Sequence, residues 1–196
     1  MPEDTQLSDS DGIFLVKTAR MAVTEFLSTG KKMKLESEHE KKFSFNSGVF
    51  VTLNNADGLR GCIGFPMPDK KLSNGIIDAA IAAATEDPRF SPVKTDELSD
   101  IVFEVTVLTP PVEITVTDPM EYLEKIKVGR DGLIIRNSFS SGLLLPQVPV
   151  EYGWNVEEFL QHTCEKAGLE KDTWKNEKVK IEKFEGIVYK EETNGS

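Results

Sequence analysis

Apolar residues recur with two different periods along this chain, and each change of period marks a new element. Ile13, Val16, Ala19, Val23, Phe26 and Leu27 return every three or four positions ahead of Gly30. That spacing predicts a helix with Ser10 or Asp11 as its cap and Gly30 as its stop. Residues 49–53 are β-branched and aromatic and predict a strand. Residues 54–58 carry turn chemistry, and residues 59–65 return as a second strand. The pair reads as a hairpin with a five-residue loop. A second helix is predicted from Ser73 through Ile76, Ile77, Ala80, Ile81 and Ala84, stopped by Asp87-Pro88. Residues 101–108 alternate strictly, with Ile101, Phe103, Val105 and Val107 on one face and Val102, Glu104, Thr106 and Leu108 on the other.

The second half repeats the vocabulary. Residues 112–116 predict a strand, and Asp118-Pro119-Met120-Glu121 predicts a capped helix start. Residues 132–136 and 142–145 read as a hairpin, the Asn155/Glu158 capping box opens a helix that runs through Ala167 to Gly168, and 179–189 read as a last strand or hairpin. Strands and helices do not alternate as a parallel sheet requires. The fold class is therefore α+β, a mainly antiparallel sheet with packed helices, two lobes with a cleft between them being one arrangement of it. Residues 1–11 read as a disordered lead-in, 12–190 as one domain with room for two subdomains, and 191–196 as a frayed tail.

Composition narrows the function classes. With 33 acidic against 23 basic residues the formal net charge is −10, which disfavours nucleic acid and anionic membranes as partners. Two cysteines in 196 residues are not a disulfide framework. No apolar run approaches the length of a bilayer span, and no leader-like core opens the chain, so a cytoplasmic protein is expected. His39 lies among glutamates and reads as a surface residue. His162 and Cys164 are two apart on a helix and point to different faces, so no metal site is predicted. No sequence pattern calls for a cofactor.

The candidate chemistry gathers in Leu59-Arg60-Gly61-Cys62-Ile63-Gly64-Phe65. Strand alternation places Arg60, Cys62 and Gly64 on one face. A guanidinium beside a thiol favours the thiolate, which is the nucleophilic form, and strand glycines mark places where a ligand or another backbone comes close. The other reading is a small packed cysteine with Arg60 paired to a carboxylate elsewhere. Arg89 reads either as a cap at the helix C-terminus or as a second cation for the same anion. Glu104 reads either as a solvent-facing edge residue or as a carboxylate lining the site. Gln147, in an apolar segment bracketed by prolines, either ties the chain down or presents its amide to a ligand. The expected site is thus Cys62 and Glu104 as reacting groups, with Arg60, Gly61, Gly64, Arg89 and Gln147 around a substrate.

These residues also carry a resemblance. Thr18-Ala19-Arg20, Gly48-Val-Phe-Val-Thr-Leu53, Arg60-Gly-Cys-Ile-Gly64, Asp87-Pro-Arg-Phe90, Glu104-Val-Thr-Val-Leu108, Gly142-Leu-Leu-Leu-Pro-Gln147, Glu158-Phe-Leu160 and Cys164-Glu-Lys-Ala-Gly168 resemble the AMMECR family over residues 13–190. Departures are mild: Thr106 stands where Ser is common, and Pro149-Val-Glu-Tyr-Gly153 is an unusual approach to Trp154. The resemblance implies a compact domain whose Arg-Gly-Cys-Ile-Gly motif forms an active or binding site. It also implies an association with Memo-type or radical-enzyme partners, hence a cytosolic enzyme or an enzyme's accessory subunit. The alternative is a non-catalytic module that binds a peptide or small anion in the same groove.

Overall fold

The computed structural model describes residues 7–176 and 179–192. The fold is α+β, and it divides into two compact units, residues 1–108 with 187–196 and residues 109–186.

In the first unit, α1 (Asp9–Thr29) is capped by Ser8, whose hydroxyl accepts from the Asp11 N–H while the Asp11 carboxylate accepts from the Ser8 N–H. The cap lies two residues before Ser10, so the helix begins inside the stretch read from sequence as lead-in; residues 1–6 of that stretch lie outside the described residues. Gly30 ends the helix in the left-handed conformation, φ 69°. A short helix α2 (Ser37–Lys42) follows in the charged segment, and His39 stacks on Phe14 with ring centroids 4.0 Å apart.

The hairpin is β1 (Val49–Asn55) and β2 (Gly58–Phe65), tighter than the five-residue loop expected. Only Ala56 and Asp57 connect the strands, and the difference is absorbed by a register shift at Leu53/Asn54. Gly58, at φ 110°, supplies the backbone angle the turn needs. Helix α3 (Leu72–Thr85) comes next, then β3 (Val102–Leu108), which pairs antiparallel with β1. The sheet order in this unit is β2, β1, β3 and then residues 187–190 of the last strand, β7 (Lys180–Lys190).

One face of this sheet is sealed. Val49, Val51, Leu53, Phe103, Val105 and Val107 are completely buried against Leu15, Ala19 and Ala22 of α1 and Ile76, Ala80 and Ala83 of α3. Small residues on both helices allow close approach, and removing that apolar surface from water drives the unit's folding. The opposite face, with Phe50, Thr52, Glu104 and Thr106, is only half-buried.

In the second unit, β4 is two residues long (Val112–Glu113) where a longer strand was expected; it pairs antiparallel with β7. Asp118 caps a single turn of 3-10 helix that leads into α4 (Tyr122–Lys125). β5 (Asp131–Arg136) pairs with both β6 (Ser141–Leu144) and β7. α5 (Gln147–Tyr152) and α6 (Val156–Lys166) follow, α6 with the expected Asn155/Glu158 capping box. Phe159, Leu160, Leu133, Ile135, Ile181 and Trp174 form this unit's core.

Candidate functional site

The site is assembled from the register of three strands. Thr52 of β1 stands opposite Cys62 of β2 on one side and Glu104 of β3 on the other. Cys62, Thr52 and Glu104 therefore form one straight row across the half-buried face. Neighbouring strands lie about 4.8 Å apart, so the thiol and the carboxylate are separated by roughly 10 Å at the backbone, with Thr52 between them. The next row is Gly64, Phe50 and Thr106.

Cys62 and Thr52 are in contact. The Cys62 N–H points off the outer edge of β2, so the two residues face each other as a non-hydrogen-bonded pair, the kind that brings side chains closest. The Thr52 hydroxyl donates to Cys62 Sγ at 3.3 Å. Cys62 as a residue is half-buried. Cys164 differs in every respect: it is completely buried in the second unit, and burial pushes its thiol up to about 11.

Both outward-facing backbone groups of Cys62 are bound by the segment after α3. Asp87 Oδ2 accepts the Cys62 N–H at 2.8 Å, and the Arg89 guanidinium reaches the Cys62 carbonyl at 3.4 Å. Arg89 also grips the Asp87 carboxylate through Nε at 2.9 Å and a terminal nitrogen at 2.7 Å. The Arg89 guanidinium beside it, with the Cys62 and Arg89 N–H groups, holds the Asp87 carboxyl far below the usual carboxylate range against the opposing effect of burial. This arrangement covers the exposed edge of β2 and fixes the backbone that carries the thiol. The last carbonyls of α3 are met by backbone instead, Glu86 N–H to Ala82 and Val93 N–H to Ala84. Arg89 thus acts on the motif strand, which neither sequence reading described.

Arg60 sits at the register shift in β2. Its guanidinium donates to both carboxylate oxygens of Glu97, at 2.8 and 3.1 Å, and to the Ser91 carbonyl at 2.9 Å. Of the two readings left open, the structure shows the carboxylate-paired one. The same contact lowers the Glu97 carboxyl, helped by the Lys94 N–H. The glycines also have local work. A Cβ on Gly61 would lie 2.2 Å from the Ala83 carbonyl oxygen, so Gly61 lets α3 approach the sheet. A Cβ on Gly64 would meet the Phe50 ring at 2.3 Å, so that ring lies over Gly64 on the same face as Cys62.

Gln147 departs from expectation. It is exposed at the start of α5 in the second unit, so the premise of a buried amide seeking partners does not hold. Among the described residues no three His, Cys, Asp or Glu side chains gather closely enough to hold a metal ion. Sequence reasoning missed Thr52 and Asp87. Alternation puts Thr52 beside Phe50, but only the pairing register shows that it separates Cys62 from Glu104. Asp87 reads in sequence as a helix stop, and nothing local marks it as the ligand of a strand 25 residues earlier.

Comparison with known proteins gives a consistent result. The AMMECR1 family model matches residues 16–189. The chain is 52% identical over 187 residues to protein MJ0810 of Methanocaldococcus jannaschii, covering 94% of this chain and 92% of that protein. It is 49% identical over 192 residues to protein PYRAB00100 of Pyrococcus abyssi, covering 95% and 93%. The crystal structure of the uncharacterized protein PH0010 from Pyrococcus horikoshii superposes with a TM-score of 0.78 at 50% identity, covering 95% of this chain and 94% of that one.

Proposed function

The chain belongs to the AMMECR1 family, and on that premise we propose that the Cys62–Thr52–Glu104 row is a thiol-based reaction site for a small substrate lying over Thr52. The observation that carries this reading is the hydrogen bond from the Thr52 hydroxyl to Cys62 Sγ, at one end of a half-buried row that ends in a carboxylate. A hydroxyl donor stabilises negative charge on sulfur and aims it along the row. Cys62 Sγ forms a bond to an electrophilic carbonyl carbon of the substrate. The thiol proton is carried by water to the Glu104 carboxylate, since the strand spacing puts the two groups out of direct reach, and leaves with the displaced group. Water then releases the acyl group from sulfur. The strand spacing of roughly 10 Å leaves a substrate room between nucleophile and carboxylate. Phe50 and Thr106 flank it.

Asp87 and Arg89 are positioning residues, since they hold the Cys62 backbone and not the sulfur. A cytosolic setting fits two free thiols, and no helix among the described residues is long and apolar enough to cross a membrane. One observation favours a second reading, a binding module without chemistry: the charge of Arg60 is committed to Glu97 and not to the thiol.

The test is the rate of Cys62 alkylation by iodoacetamide at neutral pH, followed by mass spectrometry. Thr52→Val should slow it about tenfold, the loss expected for a hydrogen bond to a charged group. Arg60→Ala should change it little. Equal rates in wild-type and Thr52→Val protein would contradict the reaction site and leave the binding module standing.

A further inference from the structure

The thiol row crosses β2, β1 and β3, and β3 has one further neighbour in this unit, the end of β7. Two backbone hydrogen bonds give the register of that neighbour. The Glu191 N–H donates to the Phe103 carbonyl at 3.0 Å, and the Thr109 N–H donates to the Glu185 carbonyl at 2.8 Å. From the first bond to the second the chain advances six residues on one side and goes back six on the other, so the pairing is antiparallel with Phe103 opposite Glu191. Lys190 then stands opposite Glu104, and Val188 opposite Thr106. Directly opposed residues share a face. The Tyr189 ring lies against Gly12 of α1, on the sealed side, which sends Lys190 to the other. Lys190 is therefore a fourth member of the row, about 4.8 Å beyond Glu104 at the backbone.

A cavity of about 860 Å³ adjoins this end of the row. Lys190 lines it, and so does Val102, two residues before Glu104 on the same face. Ile13, Val16 and Ile101 add apolar wall, and every lining residue belongs to the first unit. The charges around it are unevenly committed. Arg20 and Glu191 are bound to each other. Lys17 and Lys190 are exposed, and neither makes a hydrogen bond or ion pair among the described residues. Against these two ammonium groups the cavity wall sets one exposed carboxylate, Glu192. Glu104 faces Lys190 from the row, and it loses its charge when it takes up the thiol proton.

Resting on the reading of the row as a reaction site, we infer that the displaced half of the substrate is an apolar group with one carboxylate, selected by Lys190 and this cavity. The direction follows from the chemistry. The departing group receives its proton from Glu104, so it lies on the Glu104 side of the bond that breaks, toward Lys190. Its apolar body rests on Val102, Ile101 and Val16, and its carboxylate is held by the Lys190 and Lys17 ammonium groups. Glu192 leaves the wall with one net positive charge, which suits a single negative one. The acyl half, over Thr52, stays on sulfur until water releases it. Lys190 determines specificity and takes no part in bond making.

The experiment compares two acetyl esters of one shape, p-acetoxybenzoate and its methyl ester, on the full chain at low salt. The initial rate of Cys62 acetylation is read by mass spectrometry. Each rate is divided by that of free cysteine with the same ester, which removes the difference in intrinsic reactivity. The quotient for the carboxylate should exceed that for the methyl ester about tenfold or more, the worth of a hydrogen bond to a charged group. Lys190→Met should remove most of that preference, Lys190→Glu should reverse it, and added salt should shrink it. Equal quotients for the two esters, or a preference that survives Lys190→Met, would overturn the inference and leave the thiol row standing. A folded Cys62 slower than free cysteine with both esters would contradict the row itself, and the inference with it.

Discussion

Asp87 is 5% exposed, yet it is charged, because its two oxygens meet the Arg89 guanidinium and the Cys62 N–H. Its folded carboxyl titrates below its unfolded value. Its contribution to stability is therefore complete above the unfolded value near pH 4 and drains away as pH falls below it. Asp87→Asn should lower stability by about 1–3 kcal/mol at pH 7, with the upper end reduced because Arg89 is half-exposed. The gap between the urea midpoints of the two proteins should narrow as pH falls below about 4 without closing at about pH 3, because the folded carboxyl titrates far below its unfolded value. At this scale the sequence was informative about identity and less so about partnership. Alternation assigned Cys62 and Glu104 each to a face of its own strand, but only the pairing register through Thr52 puts the two in one row. The partner of Arg60 was not legible, because Glu97 lies 37 residues away in a 3-10 turn that no periodicity announces.

The hairpin and α3 form the element pair on which the site depends. Gly61 is the contact point: an added methyl carbon would sit 2.2 Å from a backbone carbonyl oxygen, which cannot rotate away as a side chain would. Gly61→Ala should therefore push α3 off the sheet and lower stability by about 2–3 kcal/mol, read as a lower denaturant midpoint. A methyl on this side does not touch the half-buried face, so Cys62 should remain labelled at close to its native rate under conditions where the variant is folded. Helices were well legible, since Gly30, Asp87-Pro88 and the Asn155/Glu158 box punctuate them chemically. Loops were less so. The connection between β1 and β2 needs only two residues because the register shift takes up the slack, and a bulge has no fixed residue code.

For the whole molecule, the acidic balance and the alternating strands were enough to reach α+β and to turn attention away from nucleic acid. What the sequence could not show is how its end returns. Residues 187–190 rejoin the first unit beside β3, and Glu191, read as part of a frayed tail, is held firmly. Its carboxylate takes two hydrogen bonds from Arg20, at 2.5 and 2.6 Å, and one from the Phe103 N–H at 2.9 Å. Arg20 in turn reaches the Leu98 and Ile101 carbonyls and lies over the Phe103 ring. Contacts of such sequence separation leave no local trace, which is why the tail reading failed there. The central claim remains the chemistry of one half-buried row on one sheet. Its most direct measurement is competitive labelling of the intact native chain with limiting iodoacetamide, compared residue by residue with the unfolded chain. The account predicts that Cys62 labels faster in the folded protein than in the unfolded one, while Cys164 labels only on unfolding. A native Cys62 that reacts no faster than the unfolded thiol would contradict it.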